Sequence, residues 1–305
     1  MSAVLEEVLA GGVRLAAPLL LASAGELVSE RAGVLNLSVE AMMLTGAFAG
    51  AAGAMTSGSA LVGVGCALVA GLLVAALQAL LSVTLRADQI VTGITANALA
   101  LGATTYGARL LFADGAAGSL PGFGPAAIPL LSRIPLLGPA LFDQTPLGYL
   151  AFALAIGLAF GLGRRFSAGL TIDAVGEDAV IADRFGLPVR RVRHAAILLT
   201  GLTAGLAGAD LALAEVHTFS DNITGGIGYL AVVAVIAGRW RPWPTMLACV
   251  FFGIAQSLPF APPALGLHVP AALLVTLPYV IALLAVSGLV GRSLAPSALT
   301  VPFAR

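Results

Sequence analysis

Nine apolar stretches run through these 305 residues, at 11–29, 39–57, 60–84, 88–112, 146–163, 194–214, 226–238, 244–262 and 270–290. A bilayer core about 30 Å thick takes about 20 apolar residues in helical form. Inside lipid the backbone has to satisfy its own hydrogen bonds, which a helix does. The pattern predicts an all-α polytopic membrane protein of about nine transmembrane helices (8–10), in one domain over 1–305. The stretch 226–238 is short, so its span is expected to borrow residues from its flanks. Composition agrees: 59% of residues are hydrophobic and 10% charged, where a soluble domain carries about 25% charged. Fifteen basic residues balance fifteen acidic ones, which gives no case for nucleic-acid binding.

Orientation follows from arginine, since there is no lysine. With the 164–193 loop in the cytoplasm, only Arg14, Arg109 and Arg133 fall near the other face, and the remaining arginines lie inside. The C-terminus is then cytoplasmic and the N-terminus external. The external loop 113–145 is rich in Gly and Pro and is expected to pack as a partly re-entrant cap. Glu6 and Glu7 precede the first apolar run without a basic segment, so no cleavable signal peptide is expected. Cys66 and Cys249 sit inside apolar runs and read as small buried side chains rather than as a disulfide or metal site.

Charges inside a membrane are costly and face the protein interior, pair, or line an aqueous path. Glu26, Glu30, Arg31 and Glu40 crowd the junction of the first two spans. The segment Gly33–Glu40 mixes apolar residues with Asn36 and Ser38, so a helix break lining a cavity is expected there. The functional reading gives Glu26, Asn36, Ser38 and Glu40 to a permeation route, supplying hydrogen bonds to a polar solute. The structural alternative ties them to backbone or arginine. Asn97 in the fourth span reads either as a solute contact or as an interhelical hydrogen bond. Asn36-Leu37-Ser38 and Asn222-Ile223-Thr224 lie at an offset of 186, which is five spans. An odd number of spans predicts two inverted-repeat halves, with the site at their interface. Phe219 and Asn222 complete the candidate path. Gly201, Gly205 and Gly208 read as close helix packing, and Asp210 as an external-surface charge.

The loop 164–193 differs in kind. Gly176 is read as opening a short helix, Glu177–Phe185, with Glu177 and Asp178 at the positive end of its dipole. Arg184 lies in the last turn, Gly186 takes the left-handed end position, and Pro188 stops continuation. Val175, Ala179, Ala182 and Gly186 form a small-residue face, and Ile181 and Phe185 an apolar pair. So short a helix needs a partner surface, and this one suits a socket on another protein.

The chain has no phosphate-cradling Gly-x-x-x-x-Gly-Lys motif and no lysine to complete one. His194, His217 and His268 fall near span ends with no nucleophile–base arrangement around them. A non-catalytic protein without cofactor or metal is expected. A secondary transporter using Glu26, Glu30 and Glu40 as proton sites is the competing class, but it gives no reason for the short helix in the loop.

The segment Gly25–Leu44 resembles the signature of the ABC-importer permeases that serve simple sugars, nucleosides and branched-chain amino acids. It is most similar to the nucleoside-type branch. The resemblance continues in Asp88–Ile94, Ala174–Asp178, Gly225–Ala231 through Gly238–Trp240, and Leu277-Pro278-Tyr279. It implies a membrane subunit that hydrolyses no ATP itself. Such a subunit pairs with a second permease, expected as a heterodimer, and with ABC ATPase subunits. An extracytoplasmic substrate-binding lipoprotein feeds it at a bacterial plasma membrane. The stretch with Gly176, Glu177, Asp178, Ala182, Asp183 and Gly186 matches the region that couples to the ATPase. Ser38 and Ala41 stand where the family usually has Gly. Asp173 stands where it usually has Arg, a departure expected to record which ATPase the subunit accepts.

Overall fold

The computed structural model of the chain describes residues 2–112, 118–134, 137–163, 166–260, 271–284, 287 and 295–303. The described residues hold twelve α-helices and no strand. In chain order these are α1 (Ser2–Arg31), α2 (Val39–Ser57), α3 (Ala60–Ala79), α4 (Gln89–Leu111), α5 (Leu137–Phe142) and α6 (Pro146–Gly161). They continue as α7 (Ser167–Glu177), α8 (Ala179–Arg184), α9 (Val189–Asp210), α10 (Ile227–Ala237), α11 (Pro242–Ser257) and α12 (Ala271–Leu284). Wider π-helical turns extend α3 over Leu80–Thr84 and α9 over Leu211–Glu215.

Each of the nine apolar stretches is helical over most of its described residues, and local chemistry sets the ends. Gly58, at φ +69°, closes α2 by returning its N–H to the Ala54 carbonyl. The Asp88 carboxylate caps the Ile90 and Val91 N–H groups at 2.9 and 3.0 Å and starts α4. Thr145 caps Gly148, with Pro146 in the first turn of α6. Described residues of the loop 113–145 pack partly on the end of α9. Leu120 and Phe123 donate backbone bonds to His217 and Leu213, and α5 is a short helix within the loop.

Among the described residues, three helical runs are long and apolar enough to cross a bilayer by themselves, Leu5–Arg31, Ala60–Thr84 and Val189–Glu215. Others are apolar but shorter, among them Ile227–Ala237. That helix, α10, measures about 16 Å at 1.5 Å per residue, roughly half the hydrocarbon thickness. It does not lengthen by borrowing its flanks: residues 217–226 and 238–241 are irregular or turns. It is a half-helix that begins within the fold.

Burial sorts the long helices. Val189–Glu215 is 78% buried and runs through the centre, whereas Ala60–Thr84 is 22% buried and turns its apolar side chains outward. Leu61, Val69, Leu73 and Leu77 of α3, with Val91, Ile94, Leu99 and Leu110 of α4, are exposed and suit lipid. Asp210 sits fully buried on α9, not at an external surface. Around α9 the helices meet backbone to backbone. A Cβ at Gly208 would run into the Met43 carbonyl oxygen of α2, and one at Gly71 into the Gly201 carbonyl oxygen. Without a hydrophobic force between helices in lipid, such small-residue faces supply the attraction through close packing.

The packing is repeated. α3 packs on α2 and α9, and α11 packs on α10 and α1. α2 packs on α9 and α4, and α10 packs on α1 and α12. Exchanging α1–α4 for α9–α12 converts one set into the other.

Gly208→Val is expected to destabilise the fold by about 1–3 kcal/mol, since the added atoms meet backbone that cannot step aside. Gly102→Val, in open space on α4, is expected to leave stability unchanged. Thermal unfolding of both variants in detergent checks the contrast.

Candidate functional site

The helix break after α1 occurs where the sequence places it. Gly33 takes φ +83°, and the Ser29 hydroxyl bonds the Val34 carbonyl at 3.0 Å. The chain then runs without helix to Ser38. A buried backbone interrupted in this way needs side chains as partners. Glu26 accepts the Asn36 N–H at 3.0 Å, and Gln89 of α4 accepts the Leu35 N–H at 2.9 Å. Asn36 Oδ1 accepts both the Ser38 N–H (3.2 Å) and its hydroxyl (2.6 Å). Asn97 of α4 accepts the Ala41 N–H at 2.9 Å and donates to the Leu37 carbonyl at 2.8 Å.

Glu40 joins this break to a second one. Its Oε1 accepts the Thr224 hydroxyl at 2.6 Å and the Gly226 N–H at 2.9 Å, and its Oε2 accepts the Gly228 N–H at 2.7 Å. The first N–H groups of a helix have no partner within it, and a carboxylate satisfies them with bonds stronger than neutral ones. Glu40 also lies in the first turn of α2. One carboxylate therefore serves the N-terminal ends of α2 and α10. Glu40 and Gly226 are separated by 186 residues, the same offset as the Asn-Leu-Ser and Asn-Ile-Thr repeat. The repeated positions touch each other.

Beside this buried junction lies a polar, open rim. Asn222 is exposed at φ +55°. Tyr229 and Tyr279 are partly exposed: the Tyr229 hydroxyl accepts from Asn97 at 2.7 Å, and the Tyr279 hydroxyl donates to the Gly225 carbonyl at 2.6 Å. Of the expected path residues, Glu26, Asn36, Ser38, Glu40 and Asn97 are brought together, but buried and bonded within the protein. Phe219 is fully buried against Phe48 and Phe112, with ring centroids 5.5 and 5.8 Å away. Asn222 alone of that set is exposed. Gln89, Thr224, Tyr229 and Tyr279 were not singled out by sequence. The first lies in the Asp88–Ile94 motif, the second in the repeat itself, and the tyrosines within the Gly225–Ala231 and Leu277–Tyr279 motifs. Glu30, one turn beyond Glu26 and fully buried, accepts the Trp240 indole N–H.

The arginine-rich loop holds two helices where sequence reading expects one. Gly176 does not open a helix: it lies in the last turn of α7, and Glu177 ends that helix. Asp178 stands between α7 and α8 in an extended conformation, accepting the Val180 and Ile181 N–H groups at 2.9 Å each. It caps α8 from outside instead of occupying its first turn. Gly186 takes φ +83° as expected, and the Leu187 N–H closes the helix on the Ala182 carbonyl at 3.0 Å. The small-residue face turns inward. Val175, Ala179 and Ala182 are buried with Val189, Ala298 and Phe303, while Gly186 is exposed. What faces outward is Val180, Ile181 and Phe185, the last 83% exposed. Glu177 and Asp178 are also exposed, and Asp183 is partly so.

Asp173 is explained within the chain. Arg31 donates to both its carboxylate oxygens at 2.6–2.8 Å and to the Leu162 carbonyl at 3.3 Å. The paired charges tie α7 to the end of α1 with the fork geometry arginine favours.

Known proteins match this arrangement along nearly its whole length. The family model described as "Branched-chain amino acid transport system / permease component" covers residues 8–278. The "Putative glucose ABC transporter permease protein TsgC13" of Haloferax volcanii is 38% identical over 84% of this chain and 77% of its own. The "Guanosine ABC transporter permease protein NupQ" of Bacillus subtilis is 34% identical over 94% of this chain and 93% of its own. The "Nucleoside ABC transporter permease protein NupC" of Lactococcus lactis subsp. cremoris is 35% identical over 92% and 91%. No solved structure matches significantly. By that family match, together with its apolar helices, the chain is a multi-pass membrane protein and belongs to the branched-chain amino acid transport system permease component family.

Proposed function

We propose that the chain is the permease subunit of an ATP-driven importer and forms the path for a nucleoside or related ribose-containing solute. The observation that carries this reading is similarity over more than nine-tenths of the chain to permeases named for guanosine and nucleosides. The tyrosines of the open rim support it, since aromatic rings stack on nucleobases for about 1–3 kcal/mol per base. The relative named for glucose favours a second reading, a simple sugar. In both readings the whole of 1–305 acts as one permease domain.

The interchange of α1–α4 with α9–α12 supports two inverted halves, with α2 and α10 entering from opposite faces and meeting at Glu40. In this reading the buried Glu26, Asn36, Ser38, Glu40 and Asn97 hold the path in shape, and the solute meets the rim at Asn222, Tyr229 and Tyr279. The outward patch of Val180, Ile181 and Phe185 receives a separate ABC ATPase, flanked by Glu177, Asp178, Asp183 and Gly186. A second permease, in a heterodimer, completes the path, and an extracytoplasmic binding lipoprotein delivers the solute. The site is a bacterial inner membrane, with the C-terminus on the cytoplasmic side. The packing of 295–303 on the arginine-rich module supports that orientation.

Purified chain in liposomes is expected to hydrolyse no ATP and to give no uptake under a pH gradient. Guanosine uptake should appear when the ATPase, sister permease and binding protein are added with ATP. Flux driven by a proton gradient through the chain alone would overturn the reading. Phe185→Asp is expected to lower uptake at least about tenfold, since an exposed aromatic anchor at an interface is worth roughly 2 kcal/mol or more. The measurement is co-purification of the ATPase, which should fall while the chain's own unfolding temperature holds. Glu40→Ala strands three donors at the α10 end, each costing about 1–3 kcal/mol, and should lower both stability and uptake. Glu40→Gln, which keeps an acceptor, should fall between Glu40→Ala and wild type in thermal unfolding.

A further inference from the structure

The segment 295–303 follows the last described helix and has no helical pattern of its own, yet it is bound closely. The Ala298 N–H donates to the Gly176 carbonyl at 2.9 Å. Ala298 and Phe303 are buried with Val175, Ala179, Ala182 and Val189 of α7, α8 and α9. The Ser297 hydroxyl reaches Glu177 at 3.4 Å. The tail is thus part of the core of the α7–α8 module.

One guanidinium holds this tail to the membrane helices. Arg193, in the second turn of α9, is 2% exposed. It donates from Nε to the Ala32 carbonyl at 3.2 Å, from Nη1 to Val301 at 2.9 Å and from Nη2 to Ala298 at 3.4 Å. Burying an arginine is costly unless its donors are used. Here they join α9, the C-terminal end of α1 and two points on the tail. The Ala32 carbonyl lies at the negative end of the α1 dipole, where a cation is favoured. Gly33 leaves room for this, because a Cβ there would crowd Arg193 Nη2 and the Ala298 carbonyl oxygen.

The same end of α1 is gripped from its other side. Arg31 holds Asp173 of α7, and the Arg31 carbonyl oxygen packs against Gly176 so closely that no Cβ fits. In the same last turn Glu30 holds Trp240, and one turn back Glu26 holds Asn36. The end of α1 therefore stands between the α7–α8 module and the junction of α2 with α10.

We propose that Arg193 is a positioning residue for coupled transport: with the tail 295–303 it clasps the ATPase-docking module to the end of α1, so that movement of the docked module is passed to α1 and the path. The inference rests on the reading of α7–α8 as the ATPase-docking module. Breaking the clasp should leave docking intact and loosen its connection to the path.

The test uses the full-length chain assembled with its ATPase, sister permease and binding protein in liposomes, measuring ATPase co-purification, ATP hydrolysis and solute imported per ATP. Arg193→Met and Phe303→Ser are expected to keep the wild-type ATPase ratio and to hydrolyse ATP. They should import about tenfold less solute per ATP, the equivalent of one lost charge-assisted hydrogen bond. Arg193→Lys, which keeps a charge but loses the fork, should restore part of the yield. Unchanged solute per ATP in Arg193→Met and Phe303→Ser would overturn the proposal. So would loss of ATPase binding in step with uptake in both, which would make the tail a folding element only. If Arg193→Met does not fold, Phe303→Ser decides alone. Absence of ATP-driven uptake in the wild-type assembly would instead overturn the permease reading.

Discussion

The stretch before α2 and the start of α10 leave backbone groups without helical partners inside the fold, and the arrangement around them answers that deficit. The unwound stretch before α2 is held by Glu26, Gln89 and Asn97, which come from α1 and α4. The start of α10 is held by Glu40. The break before α2 is thus held from within its own half, by α1 and α4, whereas the start of α10 relies on Glu40 from the other half. Charged residues that lipid penalises are retained here because they serve backbone groups that lipid would penalise more.

The close glycine contacts give this junction its rigidity. α9 lies against α2 and α3 with carbonyls in the space a side chain would take at Gly46, Gly71 and Gly208. Helices seated so closely can tilt together, but they have little room to slide. The polar contacts through Glu40 fix the register of α2 against α10. The irregular turns at 217–226 carry the exposed end of the junction, where the chain has left-handed residues at Asn222, Gly225 and Gly226.

Much of this was legible in the residues. Apolar run length locates the helices, and Gly186 marks the end of α8 because it supplies the backbone angle that end requires; the caps at Gly58, Asp88 and Thr145 emerge only in the structure. Asn36 and Glu40 stood out because polar residues inside apolar sequence need a cause. What escaped the sequence concerned direction and distance. An aspartate before a short helix reads equally as a first-turn residue or as a cap, so Asp178 was placed one step inside α8. A row of small residues says that something packs closely, not what does; for Val175, Ala179 and Ala182 it was the chain's own tail. Asp173 reads in the sequence as a mark of the partner, and its counterpart within the chain, Arg31, is 142 residues away. The buried state of Asp210 likewise depended on neighbours from other helices.

The Arg31–Asp173 pair changes what counts as a unit of exchange among these permeases. The aspartate at 173 is paired from inside the chain, by a residue at the end of α1. A hybrid whose grafted α7–α8 segment carries a basic residue at 173 would set like charges face to face unless residue 31 changes with it. The loop that looks most modular in the sequence is thus bound to the first helix, and the two are expected to vary together through descent.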